Sequence, residues 1–282
     1  MNPSGPIAHH RPPRHPRLGW AVVLVLHVLV LGLWWHYGFR RGWPWAVPML
    51  VGTHLAIVWG TLRPASRLFG PALTRLDTDE RVLWLTIDDG PSAETPAVLD
   101  LLDAHAAKAT FFLVGARARR YPDHVREIVR RGHGIGNHSD SHPTHRFWAL
   151  GPRAMRREIE RAQASLTEIA GVAPVWFRAV VGMANPFVAA SLHRLGLARV
   201  AWSARGFDGA VADPHRVLRR VERQLAPGAI VLAHEGAAHG HNLETLALLL
   251  QRFDELGYRC VLPVPAPSRE MHLPTTATRL AD

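Results

Sequence analysis

Within its first 62 residues the chain carries two nearly unbroken apolar runs, residues 18–35 and 43–62, and these restrict its architecture more than any other feature. His27 is the strongly polar member of the first run, while Pro44, Pro48, Thr53 and His54 interrupt the second. Each run is about long enough to cross a hydrocarbon layer of ~30 Å as a helix. Trp20, Trp34, Trp35, Trp43, Trp45 and Trp59 lie near the run ends, where interfacial rings belong. No small-residue cleavage site follows the first run, which ends in Trp34-Trp35-His36-Tyr37. Two transmembrane helices are therefore predicted in preference to a signal peptide and a buried helix. Arg11, Arg14 and Arg17 precede the first run, Arg40 and Arg41 lie between the runs, and Arg63, Arg67 and Arg75 follow the second. The positive-inside rule then expects a multi-pass protein of a bacterial-type inner (cytoplasmic) membrane, with both ends and the catalytic domain on the cytoplasmic side.

The rest of the chain divides by composition. Residues 1–17 are rich in Pro, His and Arg and read as a basic disordered tail, residues 63–80 as a connector, and residues 263–282 as a C-terminal tail. Residues 81–262 form the globular part, consistent with 48% hydrophobic and 20% charged residues. The net charge of +10 rests on arginine, since Lys108 is the sole lysine. These arginines are dispersed, as at Arg153, Arg156, Arg157 and Arg161 on one helix, and no recognition helix accompanies them. A solvated face is expected, near anionic lipid, and no nucleic-acid partner. Cys260 stands alone, which excludes an internal disulfide and a cysteine metal cluster and leaves a core thiol.

From residue 82 onward, short apolar stretches alternate with helical periodicity. Strands are expected at 82–88, 109–114, 134–137, 175–178, 199–203, 229–234 and 259–262. Helices are expected at 96–105, 123–131, 152–170, 186–195, 214–225 and 243–256. About seven β/α units without a second domain argue for an α/β fold, a distorted (β/α)7-type barrel.

Such barrels gather functional groups at the C-terminal ends of strands. The first strand ends in Asp88-Asp89-Gly90-Pro91. Two adjacent carboxylates are costly there unless a cation or proton neutralises them, and on extended backbone their side chains point in opposite directions. After the third strand comes Asn137-His138-Ser139-Asp140-Ser141-His142-Pro143. Imidazoles four residues apart share a face if the segment makes a helical turn, a common way to hold a divalent ion. One Asp and two His leave coordination positions open, as catalysis requires. Leu232-Ala233-His234 ends another strand, where a His suits general acid work.

In this order, Thr86-Ile87-Asp88-Asp89-Gly90, His138-Ser139-Asp140-Ser141-His142, Phe177-Arg178, Trp202-Ser203 with Asp208, and Leu232-Ala233-His234 resemble the polysaccharide deacetylase family, the NodB-homology or carbohydrate esterase 4 group. The resemblance covers roughly residues 81–262 and implies a NodB-homology barrel. It implies that Asp89, His138 and His142 hold one divalent ion, with zinc the first choice and cobalt, manganese or nickel also suited to that donor set. It further implies Asp88 as general base, His234 as general acid, Arg178 as the partner that orients Asp88, and Asp208 as a group behind the Arg or the His. The backbone N–H of Val181 takes the place of the family's oxyanion donor. The implied activity is removal of an N-acyl group, acetyl first, from an amino sugar in a glycan or glycolipid at a membrane. The alternatives are deacylation of a non-sugar amide or imide, or a non-catalytic tethered glycan-binding module. The chain departs from the family at Ala179-Val180-Val181, where prolines and an aromatic residue are usual, and at Gly209, where Trp is frequent. Both changes reshape the substrate groove.

Overall fold

The computed structural model describes residues 7–8 and 18–265. Helices α1 (Leu18–Tyr37) and α2 (Phe39–Leu62) contain the two apolar runs, with Gly38 alone between them. Gly38 has φ +80°, a left-handed conformation that a residue without Cβ adopts freely. Arg40 and Arg41, which lie between the two apolar runs, thus belong to the first turn of α2. The helices pack together through Trp34 and Phe39, whose rings are 5.3 Å apart, and through His27 Nε2, 3.3 Å from Thr53 Oγ1 and 3.4 Å from His54 Nδ1. Helix α2 is long and apolar enough to cross a membrane, whereas the described apolar part of α1, Ala21–Tyr37, is shorter than that requirement. Of the predicted N-terminal tail, Ile7–Ala8 forms a short parallel ladder with Val264–Pro265. The remainder of residues 1–17, and residues 266–282, lie outside the described residues.

Residues 63–80 are packed against the domain. Phe69, Ala72 and Leu76 are buried, Leu73 bridges Val200, and Arg75 bridges Ala229. The buried Arg199 guanidinium donates to the carbonyls of Ser66 and Gly70, which holds the connector down.

The globular part runs β1 (Val82–Gly90), α3 (Thr95–Ala104), β2 (Ala109–Leu113), α4 (Gly115–Arg120), α5 (Pro122–Arg130), β3 (Gly134–Asn137), α6 (Pro152–Ala170), β4 (Trp176–Phe177), α7 (Val188–Leu195), β5 (Ala198–Arg199), β6 (Ala204–Arg205), α8 (Pro214–Glu222), β7 (Ala229–His234), α9 (Asn242–Glu255) and β8 (Arg259–Cys260). The sheet order is β5-β4-β3-β2-β1-β7-β6, and β8 pairs with the start of β1. Every pairing in this sheet is parallel. The predicted barrel is therefore open, since no ladder joins β5 to β6. Of the stretch expected as one strand over 199–203, Arg199 alone lies in a strand; β6 begins just beyond it, and Ser203 between the two exchanges hydrogen bonds with Ile230. Helix α4 was not anticipated, being too short for apolar periodicity.

Nearly all of β1 is buried, as a central parallel strand covered on both faces should be. Leu83, Leu85, Ile87, Phe111, Leu113 and Val231 of the sheet pack with Leu249, Leu250 and Phe253 of α9. A second cluster joins Phe147, Ile159, Phe177, Ala179 and Val180 to Phe69, with Ile57 and Leu68 packed against it. Ile57 belongs to α2, so the end of that helix is seated on the globular domain. Cys260 is partly buried, and burial pushes its thiol up to about 12, which leaves it unreactive.

Candidate active site

The ends of β1, β3 and β7 meet at one pocket, lined among others by Asp88, Asp89, His138, His142, Val181 and His234. The β1–β2 ladder slips between Asp88 and Gly90, and Asp89 sits at φ +69°. This bulge overrides the alternation expected of extended backbone and turns both carboxylates into the same pocket. His138 Nε2 lies 3.7 Å from Asp88 Oδ2 and 3.5 Å from Asp89 Oδ1, and His142 Nε2 lies 2.9 Å from Asp89 Oδ1.

The two histidines do not meet through a helical turn. Residues 138–142 form a loop in which Ser139 (φ +69°) and His142 (φ +50°) are left-handed, and this brings the ring centroids to 4.9 Å. The loop is fixed from α6. Glu158 Oε2 accepts from the backbone N–H of Asp140 (3.1 Å) and Ser141 (2.9 Å), and Glu158 Oε1 accepts from Ser141 Oγ at 2.8 Å. Asp140 is itself held by Arg119 at 2.7 Å.

One ligand atom from each of Asp89, His138 and His142 lies within 4.8 Å of the others. Asp89 Oδ1 is buried with no hydrogen-bond partner. The other nitrogen of His138, Nδ1, is 2.9 Å from the Arg178 carbonyl, so in the neutral ring Nδ1–H donates there and the Nε2 lone pair faces Asp89. An unpartnered buried carboxylate oxygen opposite two imidazole nitrogens fits a divalent cation. Burial alone raises the Asp89 pKa, but the His138 and His142 imidazoles beside it outweigh that and hold the carboxyl well below the usual range.

Asp88 is paired on its other side. Arg178 Nη1 donates to Asp88 Oδ1 at 2.7 Å and to Thr86 Oγ1 at 2.8 Å, while Nη2 donates to the Ala201 carbonyl at 3.0 Å. The guanidinium also lies 4.2 Å over the Phe112 ring.

His234 has its own anion. Asp208 Oδ1 faces His234 Nδ1 at 2.9 Å, and Asp208 Oδ2 accepts from the His234 backbone N–H at 2.6 Å. Burial lowers the imidazole pKa, but Asp208 more than offsets it and holds the ring up at about 9. Asp208 therefore stands behind the histidine. The departures from the family pattern fall on the same pocket. Val181 lines it with φ +54°, and Gly209 packs on the His234 ring, where a Cβ would come 3.3 Å from Cδ2.

Two acidic groups escaped the sequence reading. Glu158 lies mid-helix, where nothing in the pattern marks it. Glu235 follows His234 directly, and that adjacency was its one available signal. It is buried, accepts from Ser92 Oγ (2.9 Å) and Thr95 Oγ1 (2.6 Å), and leaves Oε1 without a partner. A Cβ on Gly90 would lie 2.0 Å from that Oε1, so glycine is required there. Burial pushes Glu235 up to about 7.

Comparison with known proteins agrees with this geometry. The sequence profile of the polysaccharide deacetylase family matches residues 75–200. A chitooligosaccharide deacetylase of Bradyrhizobium sp. is 35% identical over 57% of this chain and 73% of its own length. The crystal structure of a family 4 carbohydrate esterase from Streptomyces lividans, in complex with acetate, superposes with a TM-score of 0.60 at 29% identity, over 66% of this chain and 94% of that one. A CE4 family pseudoenzyme from Bacillus anthracis superposes with a TM-score of 0.61 at 26% identity, over 66% of this chain and 65% of its own. Motif order, open parallel barrel and relatives agree, and the chain belongs to the polysaccharide deacetylase family.

Proposed function

We propose that this protein is a membrane-anchored, metal-dependent deacetylase that hydrolyses the N-acyl amide of an amino sugar, acetyl being the first expectation. The observation that carries this reading is the convergence on one pocket of a cation-binding trio, a carboxylate paired with Arg178, and an imidazole paired with Asp208. Asp89, His138 and His142 hold the divalent ion, which when bound lowers the pKa of water and polarises the amide carbonyl. Asp88 takes the proton from the attacking water, because Arg178 orients it and leaves Oδ2 turned toward the pocket. The water oxygen bonds to the acyl carbon, the C–N bond breaks, and His234 gives its proton to the departing nitrogen. The products are a free amine and a carboxylate. The backbone at Val181 is the donor to the developing oxyanion. A binding module needs no such base and acid, which favours catalysis over the non-catalytic alternative.

The apolar helices α1 and α2 support membrane attachment, and the arginines at the run ends support the cytoplasmic face for the catalytic domain. The test is amine release from N-acetylated chitooligosaccharide by the full chain in detergent, before and after chelation. Chelator-sensitive release supports the reading, and sugar binding without release by metal-loaded protein refutes it.

A further inference from the structure

The pocket stands directly beside the end of α2. Gly182, which lines the pocket, is wedged between Pro64 and Trp202: a Cβ there would lie 2.6 Å from Pro64 Cγ and 2.5 Å from Trp202 Cη2. Pro64 is two residues beyond Leu62, the last residue of α2. Along the chain this is at most about 8 Å, so the pocket wall begins where the helix ends. Gly60 packs on Leu68 and Phe69, and Ile57 sits against the cluster that contains Ala179 and Val180, the residues preceding Val181. At the helix end Trp59 and Leu62 are exposed, and the Arg63 guanidinium lies 5.4 Å over the Trp59 ring. An exposed Trp beneath an Arg is the pattern of a membrane–water boundary. The pocket mouth is apolar as well, with Val181 and Phe207 each 45% exposed.

The same pocket contains a cation that the proposed hydrolysis does not use. Arg205 lines it, with its guanidinium 3.8 Å over Phe207 and 5.1 Å over Trp202. Among the described residues no carboxylate lies within ion-pair distance of Arg205. Aromatic faces hold the guanidinium in place and leave its N–H donors available to an anion; its fork fits carboxylate and phosphate alike, and of the two it is phosphate that commonly joins a sugar to a membrane-bound chain.

We infer that the substrate is an amino sugar joined through phosphate to an apolar chain lying in the membrane, with Arg205 taking the phosphate and the Val181–Phe207 mouth receiving the first part of the chain. This rests on the reading above, that the pocket hydrolyses an N-acyl amino sugar and that α2 is in the membrane. A pocket seated at the boundary suits a substrate confined to the bilayer surface better than a long soluble polymer, which needs an open groove on both sides.

The test uses the full chain in phosphatidylcholine vesicles with three substrates: farnesyl-phosphoryl N-acetylglucosamine, N-acetylglucosamine 1-phosphate and neutral chitotetraose. Amine release gives kcat/KM for each. The expected order is lipid-linked above 1-phosphate above chitotetraose, with at least a tenfold advantage for the lipid-linked substrate. Arg205→Gln should shrink the ratio of 1-phosphate to chitotetraose rates at least fivefold. A Gly-Ser linker inserted between Leu62 and Arg63 should cut the lipid-linked rate at least tenfold more than the 1-phosphate rate, whose remaining turnover shows that the variant is folded; equal falls for the two substrates overturn the part given to the membrane boundary. Chitotetraose cleaved as fast as the lipid-linked substrate, or a lipid-linked rate no higher than that of the 1-phosphate, overturns the inference and leaves the deacetylase reading intact. No amine from any of the three by metal-loaded protein overturns the deacetylase reading, and this inference with it.

Discussion

Arg178 Nη1 donates to Asp88 Oδ1 at 2.7 Å, and the arginine side chain is completely excluded from solvent. The pair is sequestered in the sheet yet leaves Asp88 Oδ2 facing the pocket, so it is both a structural and a chemical element. Removing one partner of a buried ion pair costs about 3–5 kcal/mol, because the other charge is left unpaired. Arg178→Met should therefore lower thermal stability sharply. Arg178→Lys should recover part of the stability but little of the turnover, because an ammonium cannot bond Asp88, Thr86 and the Ala201 carbonyl together. Equal turnover in Arg178→Lys and wild type, measured with the metal-loaded protein, would show that the orientation of Asp88 is immaterial.

Metal retention should depend on the loop as well as on the ligands. His142→Ala should lose the ion and the activity together. Glu158→Ala should bind metal about 10–100-fold more weakly, because no side-chain acceptor then remains for the backbone N–H groups of residues 140 and 141. Competition with a chromogenic chelator measures this, and an unchanged affinity would rule out an anchoring role for Glu158.

The alkaline side of the pH profile should report His234. Its imidazole is held up at about 9 by Asp208, so the acid stays protonated through neutral pH and activity declines as pH rises through that value. Asp208→Asn removes the anion, and the alkaline limb should move down toward the ordinary imidazole range near about 6.5. A limb that stays in place in Asp208→Asn assigns it to another group.

Glu235 makes stability pH-dependent in a stated direction. Its folded pKa is raised to about 7, so its contribution is fully present below the unfolded value of about 4.3 and is lost as pH rises toward 7. Glu235→Gln, which mimics the protonated form, should match wild type near pH 4 and exceed it above pH 7 by roughly 1–3 kcal/mol. Denaturant melts at both pH values check this; a constant difference contradicts the titration.

The residues proposed as ligands, base and acid stand out in the sequence because their positions at strand ends follow from short runs that stop at Asp88, Asn137 and His234. How they converge could not. The meeting of Asp88 and Asp89 in one pocket needs the bulge and the left-handed Asp89, and the meeting of His138 and His142 needs left-handed Ser139 and His142. Those conformations are imposed by tertiary contacts such as Glu158, since none of these residues favours positive φ as glycine does. The break between the edge strands Ala198–Arg199 and Ala204–Arg205 was hidden for a related reason. Local apolarity marks a strand, but the partner that captures each half is distant in sequence, as Ser203 and Ile230 show. The connector reads as polar and proline-marked, and its burial depends on Arg199, more than a hundred residues later.

The account rests most directly on Asp88 acting as a base beside an intact metal site. The decisive measurement is metal content and acetate-plus-amine release, on an N-acetylated amino-sugar substrate, for wild type and Asp88→Asn in parallel. Wild type should bind one divalent ion and release acetate and amine in equal amounts. Asp88→Asn should keep the ion and lose turnover by about 10²-fold or more, since an amide cannot accept the proton. Turnover by Asp88→Asn at the wild-type rate, or no product from metal-loaded wild type, would contradict it.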